Sequence, residues 1–375
     1  MKIAINIPTY VTGSLDSGKA FNIELIKKIA LSEPSNEFII TQSGDIEKMQ
    51  NMPGNISIIN LDSPGKNFLK WRLTYDYKIP SILKKNGVDL FIATDGICSL
   101  RTKIPQILFV QDLSYLIFPE LFPSGIAAFF KRNTAGFLKK AVQIVVPSQF
   151  IENQIIAKYK SDPAKIHIAE QSPGVEFRQL SWEEKESTRE KYSEGKEFFL
   201  FVGTIHPKNN LKQLLQAFSL FKKRQKTNTQ LLIVGERGRL HEEFISSFAH
   251  YKFKNEVKII EDLPAVDLPL LMGTANAFVY PSLYDGFPVS ILNAMKAGVP
   301  VLASARSAIP ETAGEGAILF DPENVNELSA QMMNIYKNEN LRNEMVNRGL
   351  ERAKDFNIAK IAEKIRKLIH TFKQN

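Results

Sequence analysis

The chain has 375 residues, of which 44% are hydrophobic and 23% are charged. This length predicts two or three domains, and the composition excludes a disordered or fibrous protein. The single cysteine, Cys98, excludes an intrachain disulfide framework and a cysteine-cluster metal site. The net charge of +8 favours an acidic partner such as anionic lipid, nucleic acid or a phosphorylated substrate, without choosing among them.

The first half of the chain alternates short apolar runs with amphipathic stretches. The runs KIAINI, EFIITQ, VDLFIAT, PQILFVQD and VQIVVPS have the length and composition of buried strands. Residues 21–30 repeat apolar side chains at helical spacing. The N-terminus MKIAINIPTY is interpreted as the first strand and not as a signal peptide, because it has no long apolar core. Strands that alternate with helices predict a parallel sheet.

A charged segment separates the two halves. Residues 181–196, SWEEKESTREKYSEGK, have few apolar side chains, as expected for a solvated linker or a surface helix. The alternation then restarts with EFFLFVG, QLLIVG, VKII, AFVYPS and VPVLAS, and residues 211–224 have a helical pattern. We therefore predict Rossmann-like domains at residues 1–180 and 181–356. Residues 357–375 are predicted to form a closing helix that packs across both domains, because apolar side chains recur there at helical spacing.

Several catalytic motifs are missing from the sequence. Neither half contains GxGxxG, a P-loop or a GxSxG elbow, and the five histidines have no HExxH spacing. Dehydrogenases, P-loop enzymes and covalent hydrolases therefore lack support. We predict no cofactor and no metal ligands.

The most informative stretch is AFVYPSLYDGFPVSILNAMKAGVPVLAS, which predicts a strand, a loop, a helix and another strand. Gly286 allows the backbone to approach a ligand, and free amides at residues 289–291 could hold phosphate oxygens. Asp285 could bind hydroxyl groups. Asn293 follows eight residues later, about two helical turns, so both side chains could lie on one side. The alternative is an ordinary connection in which Asp285 is a turn residue and Asn293 only solvates its helix.

Here the sequence resembles the GT-B retaining glycosyltransferases of family 4, over about residues 202–356. VGTIHPKNNLKQLLQAF is similar to the family's loop with basic residues for the donor diphosphate, and LLIVGERG is similar to its next strand and glycine turn. SLYDGFPVSILNAMKAGVPV matches the signature segment, and SAIPETAGEGAILFDPEN is similar to the segment after it. The resemblance implies an α/β fold of two Rossmann-like domains whose parallel sheets face a cleft, with the C-terminal helix crossing back to the N-terminal domain.

The resemblance also implies a function. It implies a metal-independent, retaining hexosyltransferase that moves a sugar from a UDP- or GDP-sugar to a glycan or lipid-linked acceptor, in cell-surface polysaccharide synthesis. The N-terminal domain would bind the acceptor and the C-terminal domain the nucleotide sugar. The implied catalytic residues are Asp285, Lys208 and Asp112. The implied donor-binding residues are Gly203, Thr204, Asn209, Gly235, Arg237, Gly286, Phe287, Pro288, Val289, Asn293 and Glu311, and Gly13 and Ser14 form an acceptor or phosphate loop.

Departures from the family pattern fall on functional positions. The family signature has two glutamates separated by seven residues, where this chain has Asp285 and Asn293. Thr204 stands where many members have Arg, and Lys208 is the only cation left in the diphosphate loop. These departures keep open a catalytically degenerate relative that binds nucleotide sugar or serves as a scaffold. A nucleotide-sugar epimerase is a weaker alternative, because its acid and base residues cannot be placed.

Residues 116–140, LIFPELFPSGIAAFFKRNTAGFLKK, combine apolar and cationic side chains. This pattern is typical of a membrane-surface patch, and equally of a core helix with a solvated Lys and Arg rim. We expect a cytoplasmic protein, and an anionic surface on the inner face of the cell membrane is a candidate partner. Nucleic acid is not expected, because aromatic residues do not interleave a basic motif.

Overall fold

The computed structural model describes residues 1–7, 17–42, 52–61, 68–123 and 125–372, with backbone alone at residues 17–22 and 68–69. The chain divides into two compact units, Met1–Gln171 with Asn357–Asn375, and Ser172–Phe356. Each unit contains one parallel sheet with helices. The predicted parallel α/β architecture is therefore confirmed.

The sheet of the first unit has seven strands in the order β3-β2-β1-β4-β5-β6-β7. Its strands are β1 Lys2–Asn6, β2 Glu37–Gln42, β3 Ile56–Asn60, β4 Leu90–Ala93, β5 Gln106–Phe109, β6 Gln143–Val146 and β7 Ile166–Ile168. All neighbouring strands are parallel, and in the register Ile3 lies between Phe38 and Leu90. Strands β2 and β3 are added on one side of β1, and β4 to β7 are added on its other side, so the order of addition reverses between β1 and β4. Such a reversal is a topological switch point, where open parallel sheets bind their ligands.

The sheet of the second unit has six strands in the order β10-β9-β8-β11-β12-β13. Its strands are β8 Phe198–Val202, β9 Gln230–Val234, β10 Val257–Ile260, β11 Ala277–Tyr280, β12 Val301–Ser304 and β13 Ala317–Phe320. Every residue of β8, β9, β11 and β12 is buried, which explains their nearly continuous apolar sequences. The switch point of this sheet lies between β8 and β11.

Most helices connect successive parallel strands, whereas α12, α13 and α14 follow the last strand. In chain order they are α1 Ser17–Ser32, α2 Phe68–Leu73, α3 Ile79–Lys85, α4 Ile126–Lys140, α5 Gln149–Tyr159, α6 Trp182–Ser193, α7 Leu211–Arg224, α8 Glu242–Ala249, α9 Leu268–Thr274, α10 Val289–Lys296, α11 Ile309–Ala313, α12 Val325–Lys337, α13 Glu339–Lys354 and α14 Ile358–His370. A π-helical turn, Thr74–Lys78, joins α2 to α3.

The charged segment at residues 181–196 forms helix α6 and not an extended linker. Ser181 caps the helix, and its side chain and that of Glu184 form a reciprocal capping box. This capping box explains why a segment with few apolar residues is helical.

Helix α14 belongs to the core of the first unit. Its side chains Ile361, Ile365, Leu368 and Ile369 are buried in the same apolar cluster as Ile3, Ile5, Ile26, Ile29 and Phe38. At one end, His370 Nε2 lies 2.5 Å from the carboxylate of Glu33 in the loop after α1. The prediction that the C-terminal helix returns to the N-terminal domain is confirmed.

Candidate functional site

Two loops lie side by side at the switch point of the second unit. One follows β8 at residues 203–210, and the other follows β11 at residues 281–288. Leu283 N–H donates to the carbonyl of Lys208 at 2.9 Å. The buried side chain of Asn209 donates to the carbonyl of Thr204 at 2.6 Å and accepts from Ser282 Oγ at 2.9 Å. The two loops therefore form one hydrogen-bonded surface where a ligand is expected.

Two glycines shape the floor of this surface. Gly235 follows β9 with φ +148°, and a Cβ atom there would lie 2.1 Å from the carbonyl oxygen of Gly203. The loops after β8 and β9 also pair with each other, because Ile205 N–H donates to Glu236 O at 2.8 Å and Gly238 N–H donates to Ile205 O at 3.0 Å. Gly203 and Gly235 thus allow the two backbones to pack closely.

Lys208 is the cation between the two loops. It is half-buried, and its Nζ lies 6.0 Å from the centre of the Tyr284 ring. Arg237, the second predicted cation, is ion-paired with Glu261 instead, with Nε 2.8 Å from Oε1. Thr204 is exposed and carries no charge. An anionic ligand at these loops would therefore meet the charge of Lys208 first.

His206 lies in the same loop, and the sequence did not indicate it as a site residue. Burial and, to a lesser extent, the charge of Lys208 lower its pKa to about 4, although Asp285 raises it in part. Its Nδ1 is buried without a hydrogen-bond partner among the described residues. His206 is therefore neutral at pH 7. Its position two residues before Lys208 is the one signal in the sequence that could have identified it.

Asp285 organises the loop after β11. Its Oδ1 accepts from Phe287 N–H at 3.0 Å, and its Oδ2 accepts from Tyr280 Oη at 2.5 Å. Its own N–H donates to Ser307 Oγ at 2.9 Å, and Ser307 has a positive φ of +55°. The carboxylate thus holds the peptides around Gly286 in one conformation, while the side chain stays half-exposed.

The expectation of three free amides at the start of α10 is wrong for two of them. Val289 N–H donates to Phe287 O at 3.0 Å, and Ile291 N–H donates to Pro288 O at 3.0 Å. The physical reason is the tight turn at Phe287 and Pro288, whose carbonyls point back at the first helical turn. The Phe287 ring is buried and meets Phe356 edge-on at 5.7 Å.

The helical spacing expected between Asp285 and Asn293 is also wrong. Helix α10 begins at Val289, so the eight-residue spacing is not two helical turns. Asn293 is buried, 7% exposed, and its Oδ1 accepts from Gly174 N–H at 2.9 Å. Lys296 Nζ donates to the carbonyl of the same glycine at 2.7 Å. These two side chains of α10 thus hold the segment around Gly174.

The remaining predicted positions lie elsewhere. Glu311 is exposed on α11, where its carbonyl accepts from Arg352 at 2.7 Å. Asp112 follows β5 in the first unit, and its carboxylate accepts from Ser114 N–H. The loop residues Gly13 and Ser14 lie outside the described part of the chain. Neither Glu311 nor Asp112 belongs to the two loops of the second unit.

The predicted membrane patch falls largely on α4. Its side chains Ile126, Phe129 and Phe137 are buried, whereas Lys131 and Arg132 are exposed. The apolar side of α4 is thus used inside the first unit, as in the core-helix interpretation. Within the described ranges, the structure contains no helix with the length and hydropathy of a membrane span.

Comparison with known proteins identifies the second unit. Residues 183–352 match the model of the family described as Glycosyl transferases group 1. The second unit contains a glycosyltransferase group 1 domain. A relative in Escherichia coli, O-antigen chain mannosyltransferase B, is 28% identical over 247 residues. The match covers 66% of this chain and 65% of that protein, slightly less than two thirds of its length.

Solved structures extend the likeness to the whole chain. A glycosyltransferase from Rickettsia africae superposes with a TM-score of 0.77 at 19% identity, covering 100% of this chain and 99% of that one. HepE from Anabaena in complex with UDP-glucose gives 0.76 at 15% identity, covering 99% and 100%. At these identities the likeness concerns the fold. The predicted α/β fold of the GT-B type is confirmed.

Proposed function

We propose that this protein is a glycosyltransferase that moves mannose from a nucleoside diphosphate sugar to a glycan or lipid-linked acceptor in cell-surface polysaccharide synthesis. The observation that carries the proposal is the position of Lys208 between the two switch-point loops of a glycosyltransferase group 1 domain. Mannose follows from the name of the Escherichia coli relative, and the UDP-glucose bound to HepE supports a nucleotide-sugar donor.

The proposed chemistry depends mainly on stabilising the leaving group. The bond between the sugar C1 and the diphosphate oxygen breaks, and negative charge develops on that oxygen. Lys208 lies where a cation can stabilise this charge, and electrostatic stabilisation of this kind commonly contributes most to the rate of an enzymatic reaction. The acceptor hydroxyl attacks C1, and the departing phosphate takes its proton. Asp285 acts in this scheme by positioning the loop around Gly286.

We further propose that transfer retains the anomeric configuration and needs no divalent metal. Both proposals follow the resemblance of residues 202–356 to retaining family 4 enzymes. The anomeric proton coupling of the product, measured by NMR, distinguishes retention from inversion. Full activity after treatment with EDTA is expected, and a requirement for added Mg²⁺ or Mn²⁺ would contradict metal independence.

Thermal unfolding with nucleotide ligands tests the donor. We expect GDP-mannose to raise the melting temperature more than UDP-glucose, because ligand at 100 times its Kd adds about 2.7 kcal/mol. Lys208→Gln should weaken GDP-mannose binding about tenfold. Lys212→Gln is the matched control, since Lys212 is exposed and pairs with Glu243 at 3.1 Å. Absence of stabilisation by every nucleotide and nucleotide sugar would contradict the proposed function.

A degenerate relative that binds donors without transfer is the second candidate. It is favoured by Asn209, whose amide is used between the loops, and by Arg237, which is paired with Glu261. Because of these contacts, Asn209 and Arg237 contribute little to neutralising the charge of a diphosphate beside Lys208. GDP-mannose binding without release of GDP, in the presence of mannose-terminated acceptors, would favour this candidate over the enzyme.

We place the protein in the cytoplasm with peripheral contact to the inner face of the membrane, where a lipid-linked acceptor is reached. Exposed Lys131, Arg132 and Lys139 on α4 are the cations that support this placement. Flotation with anionic vesicles is expected to exceed flotation with neutral vesicles. Equal flotation with anionic and neutral vesicles would contradict the proposed contact with the membrane.

A further inference from the structure

The switch point of the first unit carries a polar cluster that the donor chemistry does not use. Asn6 is the last residue of β1, and Asp95 follows the end of β4. Thr94 ties the two strand ends together, because its N–H donates to Asn6 Oδ1 at 2.8 Å and its hydroxyl donates to Asn6 O at 2.6 Å. The cluster therefore lies at the carboxyl edge of the sheet, between the two strands where ligands are expected.

Asn6, Tyr75 and Ile97 donate hydrogen bonds to the carboxyl group of Asp95. Asn6 Nδ2 donates to Asp95 Oδ2 at 2.7 Å, and the hydroxyl of Tyr75 donates to the same oxygen. Ile97 N–H donates to Oδ1 at 3.3 Å. Asn6 and Tyr75 are buried, whereas Asp95 remains half-exposed. The carboxyl group is thus oriented by buried partners.

The backbone around Tyr75 is unusual. Tyr75 lies on the π-helical turn Thr74–Lys78, which interrupts the helix formed by α2 and α3. Such turns are rare and frequently occur at functional sites, because they reorient a side chain at the cost of regular helical hydrogen bonds. Here the turn directs the Tyr75 hydroxyl to Asp95 and Asn6.

The ionisation of Asp95 falls near neutrality. Burial raises the pKa of Asp95 to about 7, although the hydrogen bonds from Ile97 and Asn6 lower it. Burial also raises the pKa of the Cys98 thiol to about 12, and Asp95 adds to this rise, so Cys98 stays neutral. The Tyr75 phenol, which is packed against Asp95, donates a hydrogen bond to its carboxyl group.

Two charged residues close to this cluster, Asp76 and Arg72, form an ion pair with each other. Asp76, on the same π-helical turn, is paired with Arg72 at 2.5 Å and accepts from Leu100 N–H at 2.9 Å. Lys140 acts on Cys98 from α4. Asp76 is thus ion-paired with Arg72, separately from Asp95.

We propose that Asp95, oriented by Asn6 and Tyr75, binds the acceptor sugar, with its carboxylate accepting a hydrogen bond from one hydroxyl group. The inference rests on the proposed function, which requires a second substrate besides the nucleotide sugar. The donor diphosphate is anionic and suits Lys208, whereas a carboxylate would repel it. A sugar hydroxyl is a neutral donor, which a carboxylate binds well.

The sign of the pH dependence follows from this contact. The ionised carboxylate accepts a hydroxyl hydrogen bond, and the protonated acid is a poor acceptor for it. Acceptor binding is therefore strong above pH 7 and weakens as the pH falls through 7. By linkage, bound acceptor lowers the pKa of Asp95.

Steady-state kinetics of the full chain test the proposal with GDP-mannose as donor and α-1,3-mannobiose as acceptor. We expect the KM for mannobiose to rise about tenfold from pH 8 to pH 6. Asp95→Asn should raise this KM at least tenfold at pH 8 and remove its pH dependence, while the KM for GDP-mannose stays unchanged. Asp95→Glu should restore part of the pH dependence. Asp89→Asn is the control, since Asp89 is exposed at the other end of β4.

A second measurement does not depend on turnover or on a variant. In the wild-type protein labelled with ¹³C at aspartate carboxyls, one resonance should titrate near pH 7, and mannobiose should lower its pKa. Mannobiose that neither changes this titration nor serves as an acceptor overturns the proposal, as does a KM insensitive to Asp95→Asn. Failure of GDP-mannose to bind the wild type instead overturns the proposed function, and this inference with it.

Discussion

At the scale of single residues, Asp285 determines the conformation of the loop after β11. Its two carboxylate oxygens accept from Phe287 N–H and Tyr280 Oη. Asp285→Ala should weaken GDP-mannose binding at least tenfold, about 1.4 kcal/mol, because the peptides around Gly286 lose their fixed orientation. Each lost hydrogen bond should cost only about 1 kcal/mol of stability. Titration calorimetry and thermal unfolding measure the two effects.

Tyr280→Phe is the matched control for this prediction, because it removes one of the two contacts and keeps the carboxylate. Its donor affinity should lie between those of the wild type and Asp285→Ala. If Asp285→Ala bound GDP-mannose as the wild type does, the loop conformation would not depend on Asp285.

The sequence placed Lys208 and Asp285 correctly in the two loops that meet at the switch point. It could not show that Asn209 is used between Thr204 and Ser282, because Ser282 is 73 residues away along the chain. The sequence did not indicate Asp95 as a site residue for the same reason, since its hydrogen-bond partner Asn6 lies 89 residues earlier. The burial of a polar side chain and the identity of its hydrogen-bond partners depend on the tertiary structure. A local sequence pattern does not reveal either of them.

At the scale of elements, the contact between the ends of β8 and β9 requires glycine. Gly235→Ala places a methyl group 2.1 Å from the carbonyl oxygen of Gly203, at a φ of +148°. We expect roughly 1–3 kcal/mol of backbone strain, in addition to displacement of the loop that carries Lys208. Urea unfolding measures the loss of stability.

Gly54→Ala is the control for this substitution, because nothing lies within 4 Å of a Cβ atom at Gly54. Its unfolding midpoint should match that of the wild type. A Gly235→Ala protein as stable as Gly54→Ala would show that the two loops can separate without cost.

The sequence predicted every strand inside the two sheets and one edge strand, β10. The runs that became β4, β8 and β11 are apolar throughout, since both of their faces are covered. The missed strands, β3, β7 and β13, lie at sheet edges. β3 and β13 are only partly buried, so their sequences lack a strong apolar signal. Apolar runs thus identify the strands inside the sheets, whereas among the edge strands they identified only β10.

At the scale of the whole molecule, the two units should unfold separately when one core is weakened. Ile365 on α14 is 1% exposed within the core of the first unit. Ile365→Ala should cost about 2–5 kcal/mol. Hydrogen exchange should accelerate in β1, β2 and α1, with exchange in β8 and β11 unchanged. Lys367→Ala is the control, since the Lys367 side chain is 75% exposed. Equal acceleration in both sheets would contradict independent cores.

The return of α14 to the first unit also has a consequence for protein synthesis. The second unit is continuous in sequence, whereas the first is interrupted by Ser172–Phe356. At a translation rate of about 5–20 residues per second, the ribosome needs roughly ten to forty seconds for that interruption. During this interval the apolar groove between α1 and the sheet, which α14 covers in the finished protein, remains open on the nascent chain. The second unit can therefore be complete before the first unit receives the helix that closes its core.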